Sequence, residues 1–272
     1  MISIILPTYN GGNRIKTAIQ SVLNQSYMDW ELLVIDDGST DNIAQIMADF
    51  TSEHPNIRYL KNDQNIGIQK TLNKGLKEAD GEYIARIDDD DEWIDKDKLQ
   101  KQIDFLLKNK DHVLVGTGLV AVDEAGREIF KKLNIVDDSS IRNNILSKNC
   151  FTHSSVLFIK DNALQFGGYD EDITTRHIED YDLWLNLGTI GKFANLPIYS
   201  VKFTIRADSL SSKNKIIQFE RSIKLIKNFK DQYPNYFESL TKLSIRMVVF
   251  KMLNFGFMKN IYKFLYKYYK NI

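Results

Sequence analysis

Tyr83-Ile84-Ala85-Arg86-Ile87-Asp88-Asp89-Asp90-Asp91-Glu92-Trp93 is an apolar, strand-type run that stops abruptly at four consecutive aspartates. Adjacent like charges repel by amounts that grow as water is withdrawn, so the run must be solvated, paired with cations or partly protonated. Two readings are open. One is a solvated acidic loop that caps the next helix; the other is an oxygen-rich site for a hard divalent ion. Mg²⁺ and Mn²⁺ are usually held by one or two carboxylates, with the remaining positions left to phosphate oxygens.

Upstream, the same strand-then-polar-loop pattern recurs. Ile2-Ser3-Ile4-Ile5-Leu6 is a β-type run closed by Pro7-Thr8-Tyr9-Asn10-Gly11-Gly12, and from Arg14 onward Ile15, Ala18, Ile19, Val22 and Leu23 follow helical spacing. Trp30-Glu31-Leu32-Leu33-Val34-Ile35 ends in Asp36-Asp37-Gly38-Ser39-Thr40-Asp41, where Ser39 to Asp41 are positioned to cap a helix through Phe50. A third strand, Ile57-Arg58-Tyr59-Leu60, leads through Asn62-Asp63-Gln64-Asn65-Ile66-Gly67 into a helix with Ile68, Leu72 and Leu76 on one face. Such alternation predicts an α/β fold with a mainly parallel sheet, and ligands collect beyond the carboxyl ends of its strands. There Tyr9 can stack on a base, Asp37 can accept from a base or ribose, and Asp88 and Asp90 can meet ribose and metal. Asp89 turns away if the strand persists. Lys70 is either a phosphate contact or a solvated helix residue.

Downstream, Lys98 to Leu107 reads as an amphipathic helix. Val113-Leu114-Val115-Gly116 and Leu119-Val120-Ala121-Val122 read as two strands, with a turn at Asp123 to Gly126. Ser154-Ser155-Val156-Leu157-Phe158-Ile159 is a further strand, and Phe193 to Phe203 holds another, interrupted by Pro197. A second acidic stretch, Arg176-His177-Ile178-Glu179-Asp180-Tyr181-Asp182-Leu183-Trp184-Leu185, turns helical from Asp180 with Leu183, Trp184 and Leu187 facing inward.

With 272 residues, 43% of them apolar, the chain can build a sizeable core. Its 36 basic and 36 acidic residues cancel, but unevenly: residues 1–100 carry 18 acids against 10 bases, and residues 239–272 carry seven bases and no acid. The acidic end suits a metal, the basic end an anionic surface. In the final segment Phe257, Ile261, Phe264, Leu265 and Tyr268 recur at helical spacing, with Lys259, Lys263, Lys267 and Lys270 largely opposite. That segment is either an interfacial helix or a terminal helix packed on the domain. The single cysteine, Cys150, excludes an internal disulfide and cysteine-rich zinc sites. A cytoplasmic location, at the cytoplasmic face of a membrane, is expected: Met1 to Leu6 is too short for a signal peptide, and no uncharged run approaches the ~20 residues of a span. The chain holds no G-x-x-x-x-G-K-[ST], G-x-S-x-G or H-E-x-x-H pattern, and His153 and His177 read as structural or polar-contact residues rather than zinc ligands.

In this order the loops resemble the inverting family 2 glycosyltransferases, whose nucleotide-sugar-binding fold is called GT-A. Pro7-Thr8-Tyr9-Asn10 is similar to the family's first nucleotide loop and Asp36-Asp37-Gly38-Ser39-Thr40-Asp41 to its second. Asn65-Ile66-Gly67, Asn73-Lys74-Gly75 and Gly81-Glu82-Tyr83-Ile84 reproduce the intervening pattern, and Asp88-Asp89-Asp90-Asp91 sits where the metal-binding D-x-D lies. His153-Ser154-Ser155-Val156 and Gly167-Gly168-Tyr169-Asp170-Glu171 look like the acceptor side, and Glu179-Asp180-Tyr181-Asp182-Leu183-Trp184 like the E-D motif that carries the catalytic base.

The resemblance implies a GT-A-like domain over residues 1–211, a mainly parallel nucleotide-binding sheet flanked by helices, followed by a basic, aromatic helical segment over 212–272. It assigns Pro7 and Tyr9 to the donor loop, with Tyr9 on the base's face. Asp37 goes to the nucleobase, Asp88 and Asp89 to the ribose region, Asp90 to Mn²⁺ or Mg²⁺, and Asp180 to general-base duty. One departure stands out. Where many relatives have R-x-H-x-x-S-x-S, this chain has Thr204-Ile205-Arg206-Ala207-Asp208-Ser209-Leu210-Ser211. Arg206 cannot ligate a metal as histidine can, but its guanidinium suits diphosphate oxygens. The expected reaction moves one sugar from a nucleotide diphosphate sugar to a glycan or lipid-linked acceptor hydroxyl in surface-polysaccharide assembly, with peripheral membrane contact through the tail and no nucleic-acid partner. A sugar-nucleotide-forming nucleotidyltransferase is the first alternative, disfavoured because no Gly-rich, Arg/Lys-marked loop follows the first strand. A non-catalytic nucleotide-sugar-binding or scaffold protein is the second, disfavoured by the presence of both Asp90 and Asp180.

Overall fold

The computed structural model describes residues 1–12, 14–205 and 214–254. Strands β1 (Ile2–Thr8), β2 (Trp30–Asp36), β3 (Ile57–Lys61) and β4 (Tyr83–Arg86) alternate with helices α1 (Ile15–Leu23), α2 (Ile43–Glu53) and α3 (Ile68–Glu78). They pair in parallel in the order β3-β2-β1-β4. β1 and β2 are buried along their whole length, which is why they read as continuous apolar runs instead of alternating ones. Side chains of β1 supply both faces: Ile5 joins the core under α3 and α7 (Glu179–Leu187), whereas Ile4 and Leu6 join the core under α1, α2 and α4 (Lys98–Lys108).

The second half widens the sheet. It contributes β5 (Glu92–Trp93), β6 (His112–Val122), β7 (Glu128–Lys132), β8 (Leu157–Ile159) and β9 (Lys192–Thr204), with helices α5 (Asp138–Ile145) and α6 (Lys160–Gln165) between them. β8 lies antiparallel between β4 and β6, β9 runs parallel to β6, and β5 and β7 add antiparallel to β9 and β6. Most paired residues lie in the parallel ladders, so the sheet is mainly parallel, as the alternation predicts. After β9 come α8 (Lys215–Leu225) and α9 (Tyr236–Asn254). The core continues past residue 211: Leu225, Ile226, Phe229, Tyr233 and Leu243 are buried in the cluster that holds Trp184 and Phe158.

Four local expectations change. The runs 113–116 and 119–122 are one strand, because Gly116 and Gly118 continue it where backbone and side chains crowd; a Cβ on Gly118 would lie 2.6 Å from the Lys132 carbonyl oxygen. Pro197 does not break β9; the ladder to β6 shifts register beside it and absorbs the missing N–H. Residues 153–155 form a 3-10 turn ahead of a shorter strand. Of Ser39 to Asp41 only Asp41 reaches α2, its Oδ1 accepting from the Ile43 N–H at 3.3 Å beside the N-cap Asn42; Ser39 and the other Asp41 oxygen serve the first loop.

A turn at Gly167-Gly168 carries the chain from α6 back towards α3. Gly168 has φ +83°, and a Cβ there would lie 2.4 Å from Asn73 Oδ1, the acceptor of the Tyr169 N–H at 2.8 Å. Gly168→Ala is therefore expected to lower stability by about 1–3 kcal/mol, read as a lower urea midpoint at unchanged slope.

Candidate functional site

Four loops at the carboxyl ends of β1, β2, β3 and β4 are laced together by their own polar groups. The Asn10 N–H donates to Ser39 Oγ at 2.8 Å, the Thr40 N–H to Asn10 Oδ1 at 3.0 Å, and the Gly12 N–H to Asp41 Oδ2 at 2.9 Å. Asp37 accepts from Asn62 Nδ2 and the Ile66 N–H on one oxygen and from the Gly67 N–H on the other, so it pins the third loop with both oxygens. Gly38 permits the approach: at φ +77°, a Cβ would lie 2.4 Å from the Gln64 backbone. Tyr9 projects from this loop set with its side chain half exposed, whereas Pro7 is buried within β1 opposite Ile35. Lys70 is exposed in the first turn of α3.

The strand does not persist through the acidic run, and its four aspartates separate. Asp88 takes Arg86 Nη2 at 2.6 Å, and Ser154 accepts from its N–H at 3.0 Å and donates to its Oδ2 at 3.2 Å. Asp89 points the other way, to Thr8 Oγ1 at 2.7 Å and the Arg14 guanidinium at 3.3 Å. Gly11 makes room for it, since a Cβ there would lie 2.0 Å from Asp89 Oδ2. Asp90 is half-buried and Asp91 fully buried, its Oδ1 without a hydrogen-bond partner. A cavity of about 290 Å³ opens beside them, lined by Arg14, Asp90, Asp91, Glu92, Lys202 and Thr204 among others.

Asp180 stands in the first turn of α7, where Asn149 Nδ2 donates to its Oδ2 at 2.8 Å. Burial raises its pKa, Asn149 opposes that, and the charge of Asp88 adds to it, so Asp88 and Asp180 are within electrostatic reach of one another. Burial also pushes Glu179 up to about 7, with Asp180 second, and its Oε2 is buried without a partner. Asp88 behaves oppositely. Burial would raise it, but the Arg86 guanidinium and the hydrogen bond from the Ser154 hydroxyl hold it below the usual carboxylate range. Burial followed by the charges of Asp88 and Asp90 drives Asp91 well above that range. His153 is pushed down to about 3 by burial and by Arg86, so it is a neutral ring, bonded through Nε2 to the Tyr169 hydroxyl at 3.0 Å. That matches its reading as a polar-contact residue.

The structure thus brings Tyr9, Asp37, Asp88, Asp89, Asp90 and Asp180 to one edge of the sheet. Arg206 and the aromatic–lysine pattern of residues 257–270 lie outside the described residues. Arg14, Arg86 and Asn149 were not singled out in the sequence. Arg86 carried a signal, being the one charge inside an apolar strand with its nearest acid two residues on. Asn149 carried none, since its role comes from a contact 31 residues away in sequence.

The model of the family described as glycosyl transferase family 2 matches residues 3–171, more than half of the chain. The chain belongs to that family. It is 32% identical over 235 residues, covering 84% of its own length and 86% of the relative's, to the UDP-Glc:alpha-D-GlcNAc-diphosphoundecaprenol beta-1,3-glucosyltransferase WfgD of Escherichia coli. Among solved structures, S. aureus TarS 1-349 in complex with UDP-GlcNAc superposes with a TM-score of 0.71 at 19% identity, covering 94% of this chain and 74% of that one. The mannosyltransferase PcManGT from Pyrobaculum calidifontis, in complex with GDP-Man and Mn²⁺, gives a TM-score of 0.65 at 18% identity over 90% of this chain and 69% of that one. The protein is therefore a glycosyltransferase with the GT-A architecture.

Glu179 supplies a pH test of the site. Its pKa is about 7 in the folded protein against an ordinary 4.5. Because the folded pKa is raised, its contribution to stability is complete below about 4.5 and is lost as pH rises through about 7. Glu179→Gln should leave stability near that of the unsubstituted protein at about pH 4 and exceed it by about 3 kcal/mol at about pH 8, measured by urea unfolding at both.

Proposed function

We propose that this glycosyltransferase moves one sugar from a nucleotide diphosphate sugar to a hydroxyl of a lipid-linked glycan with inversion, at the cytoplasmic face of a membrane, with Asp180 as general base. The single observation that best supports this reading is the carboxylate of Asp180, steered by Asn149 and electrostatically coupled to Asp88 across the crevice. A raised proton affinity suits a group that must take a proton from an alcohol. The lipid-linked acceptor is supported by WfgD, whose name states a diphosphoundecaprenol acceptor. No helix among the described residues is long and apolar enough to cross a membrane.

On the donor side, Tyr9 stacks on the base, Asp37 and its loop meet the base edge, and Asp88 and Asp89 bound the ribose. Pro7 sets the exit of β1 that aims Tyr9. Lys70 and Arg206 are the candidate diphosphate cations, Arg206 standing two residues after the Thr204 that lines the cavity. Among the described residues no group of three or more His, Cys, Asp or Glu side chains is arranged around a metal ion. The acidic run nonetheless fits a divalent ion that keeps positions for phosphate oxygens, because Asp91 Oδ1 is buried and orphaned beside Asp88 and Asp90. Asp90, supported by Asp88 and Asp91, would hold Mn²⁺ or Mg²⁺, which when bound neutralises charge on the departing diphosphate.

In the transfer, the acceptor oxygen attacks the anomeric carbon as Asp180 takes its proton, and the bond from that carbon to the diphosphate oxygen breaks. One displacement through an oxocarbenium-like state inverts the centre, leaving a glycoside, a nucleoside diphosphate and protonated Asp180. Holding both reactants in line supplies much of the acceleration.

Asp180→Asn should keep nucleotide-sugar binding, seen as an undiminished thermal shift, while release of nucleoside diphosphate falls by about 10²–10⁴-fold. Turnover that survived the substitution would remove Asp180 as the base.

A further inference from the structure

Helix α9 buries one side and leaves the other bare. Leu240 and Leu243 pack on the core, and Phe250 meets Phe219 of α8 at 6.1 Å between ring centroids. On the opposite side Phe237 is 81% exposed, Ile245 57%, Val248 50%, Val249 48% and Met252 52%. At 3.6 residues per turn these five positions fall within about a third of the helix circumference, so they form one stripe. Large apolar side chains scattered singly need no explanation, but a contiguous stripe marks an interaction surface.

We propose that this stripe lies in the interfacial layer of an anionic lipid bilayer. Charge selects that occupant over a second copy of the chain. α9 itself carries one acid, Glu238, and pairs Lys242 with it and Lys251 with Glu220 of α8, but from residue 239 to 272 the sequence carries seven bases and no acid, and an apolar helical face followed by a cation-rich, acid-free stretch is matched to anionic headgroups. The continuing sequence, residues 255–272, adds four of those lysines among aromatic and aliphatic residues. Docking is the role, not spanning, since α9 carries Glu238, Lys242, Arg246 and Lys251 and is not apolar enough to cross a membrane.

Position gives the surface a purpose, which rests on the lipid-linked acceptor proposed above. Arg246 of α9 donates through Nη1 to the Ser147 carbonyl at 2.8 Å, and Asn235 just before α9 bonds to Asn143 of α5 at 3.2 Å. Two residues beyond Ser147 is Asn149, the donor to Asp180. The bilayer-facing helix is thus fastened to the segment that steers the base, so a lipid-anchored hydroxyl arrives on the side of the crevice where Asp180 waits.

The test uses the full chain and two four-site variants. In one, Ile245, Val248, Val249 and Met252 are all changed to Gln; in the other, all four become Leu, which keeps the face apolar. Sedimentation with phosphatidylcholine vesicles, with and without phosphatidylglycerol, is read beside light scattering for mass and melting with UDP-Glc or UDP-GlcNAc. The proposal expects the unsubstituted chain and the Leu variant to bind phosphatidylglycerol vesicles, and the Gln variant to bind them at least about tenfold more weakly. Equal binding by all three would overturn it, as would no binding by the unsubstituted chain. So would a dimer that the Gln variant splits without any change in vesicle binding. Nucleotide-sugar stabilisation is a separate readout: equal in all three chains, it shows the variants folded, and absent from all three, it counts against UDP-Glc and UDP-GlcNAc as donors while leaving the vesicle result to stand alone.

Discussion

A guanidinium in the middle of the protein sets the electrostatics of everything around it. Arg86, only 1% exposed at the end of β4, has its charge met by Asp88 two residues on and by the carbonyl of Ile87, while its Nε has no partner. A buried cation of this kind persists only if paired, and removing the partner typically costs 3–5 kcal/mol, about the scale of the pair's own desolvation. Asp88 is held on Arg86 just past the last residue of β4, while Asp89 turns to Thr8 and Arg14, so the run leaves the strand with its carboxylates on different sides.

From this pair the neighbouring protonation states follow. Arg86 holds Asp88 ionised and His153 neutral, and the resulting carboxylate charge raises Asp91, Asp180 and Glu179 on top of what burial does. Asp180 sits at the start of α7, where the helix dipole favours a negative charge, yet its pKa is raised. Burial and Asp88 outweigh the dipole there. One carboxylate is kept charged and another is made more basic, although both belong to the same residue type and lie within electrostatic reach of one another. Environment alone separates them, as where two catalytic carboxylates take different roles.

The donor half of the fold was legible because its instructions are local. Each strand is a continuous apolar run, each loop begins at a Pro, Gly or Asp cluster, and each helix shows its buried face at i, i+3 and i+4, so order, direction and the shared edge all followed. The acceptor half was less legible because its instructions are long-range. Gly116 and Gly118 look like a break between two strands and instead keep one strand going where Asn195 and the Lys132 carbonyl crowd it. Pro197 looks like an interruption and sits at a register shift. Asp37 reads as a free acceptor, but its partners are backbone N–H groups of a loop about 30 residues on, so part of its role is holding that loop. Asn149 and Arg14 meet their partners only through the tertiary fold. Side chains that act on strands or helices distant in sequence leave no spacing to read.

The same division runs through what holds the site together. The loops after β1, β2 and β3 brace one another through hydrogen bonds from the four-stranded parallel block, with Asp89 and Ser154 joining from beyond β4. Asp180 has a different foundation. Its helix packs on Tyr233, whose hydroxyl donates to the Leu185 carbonyl, and its partner Asn149 hangs from the segment that Arg246 fastens to α9. Asp180 is thus tied to the C-terminal helices and the loops after β1, β2 and β3 to the N-terminal sheet, with Arg86–Asp88 and Ser154 at the seam. A constraint imposed on α9 from outside reaches Asp180 through two hydrogen bonds and one short stretch of backbone.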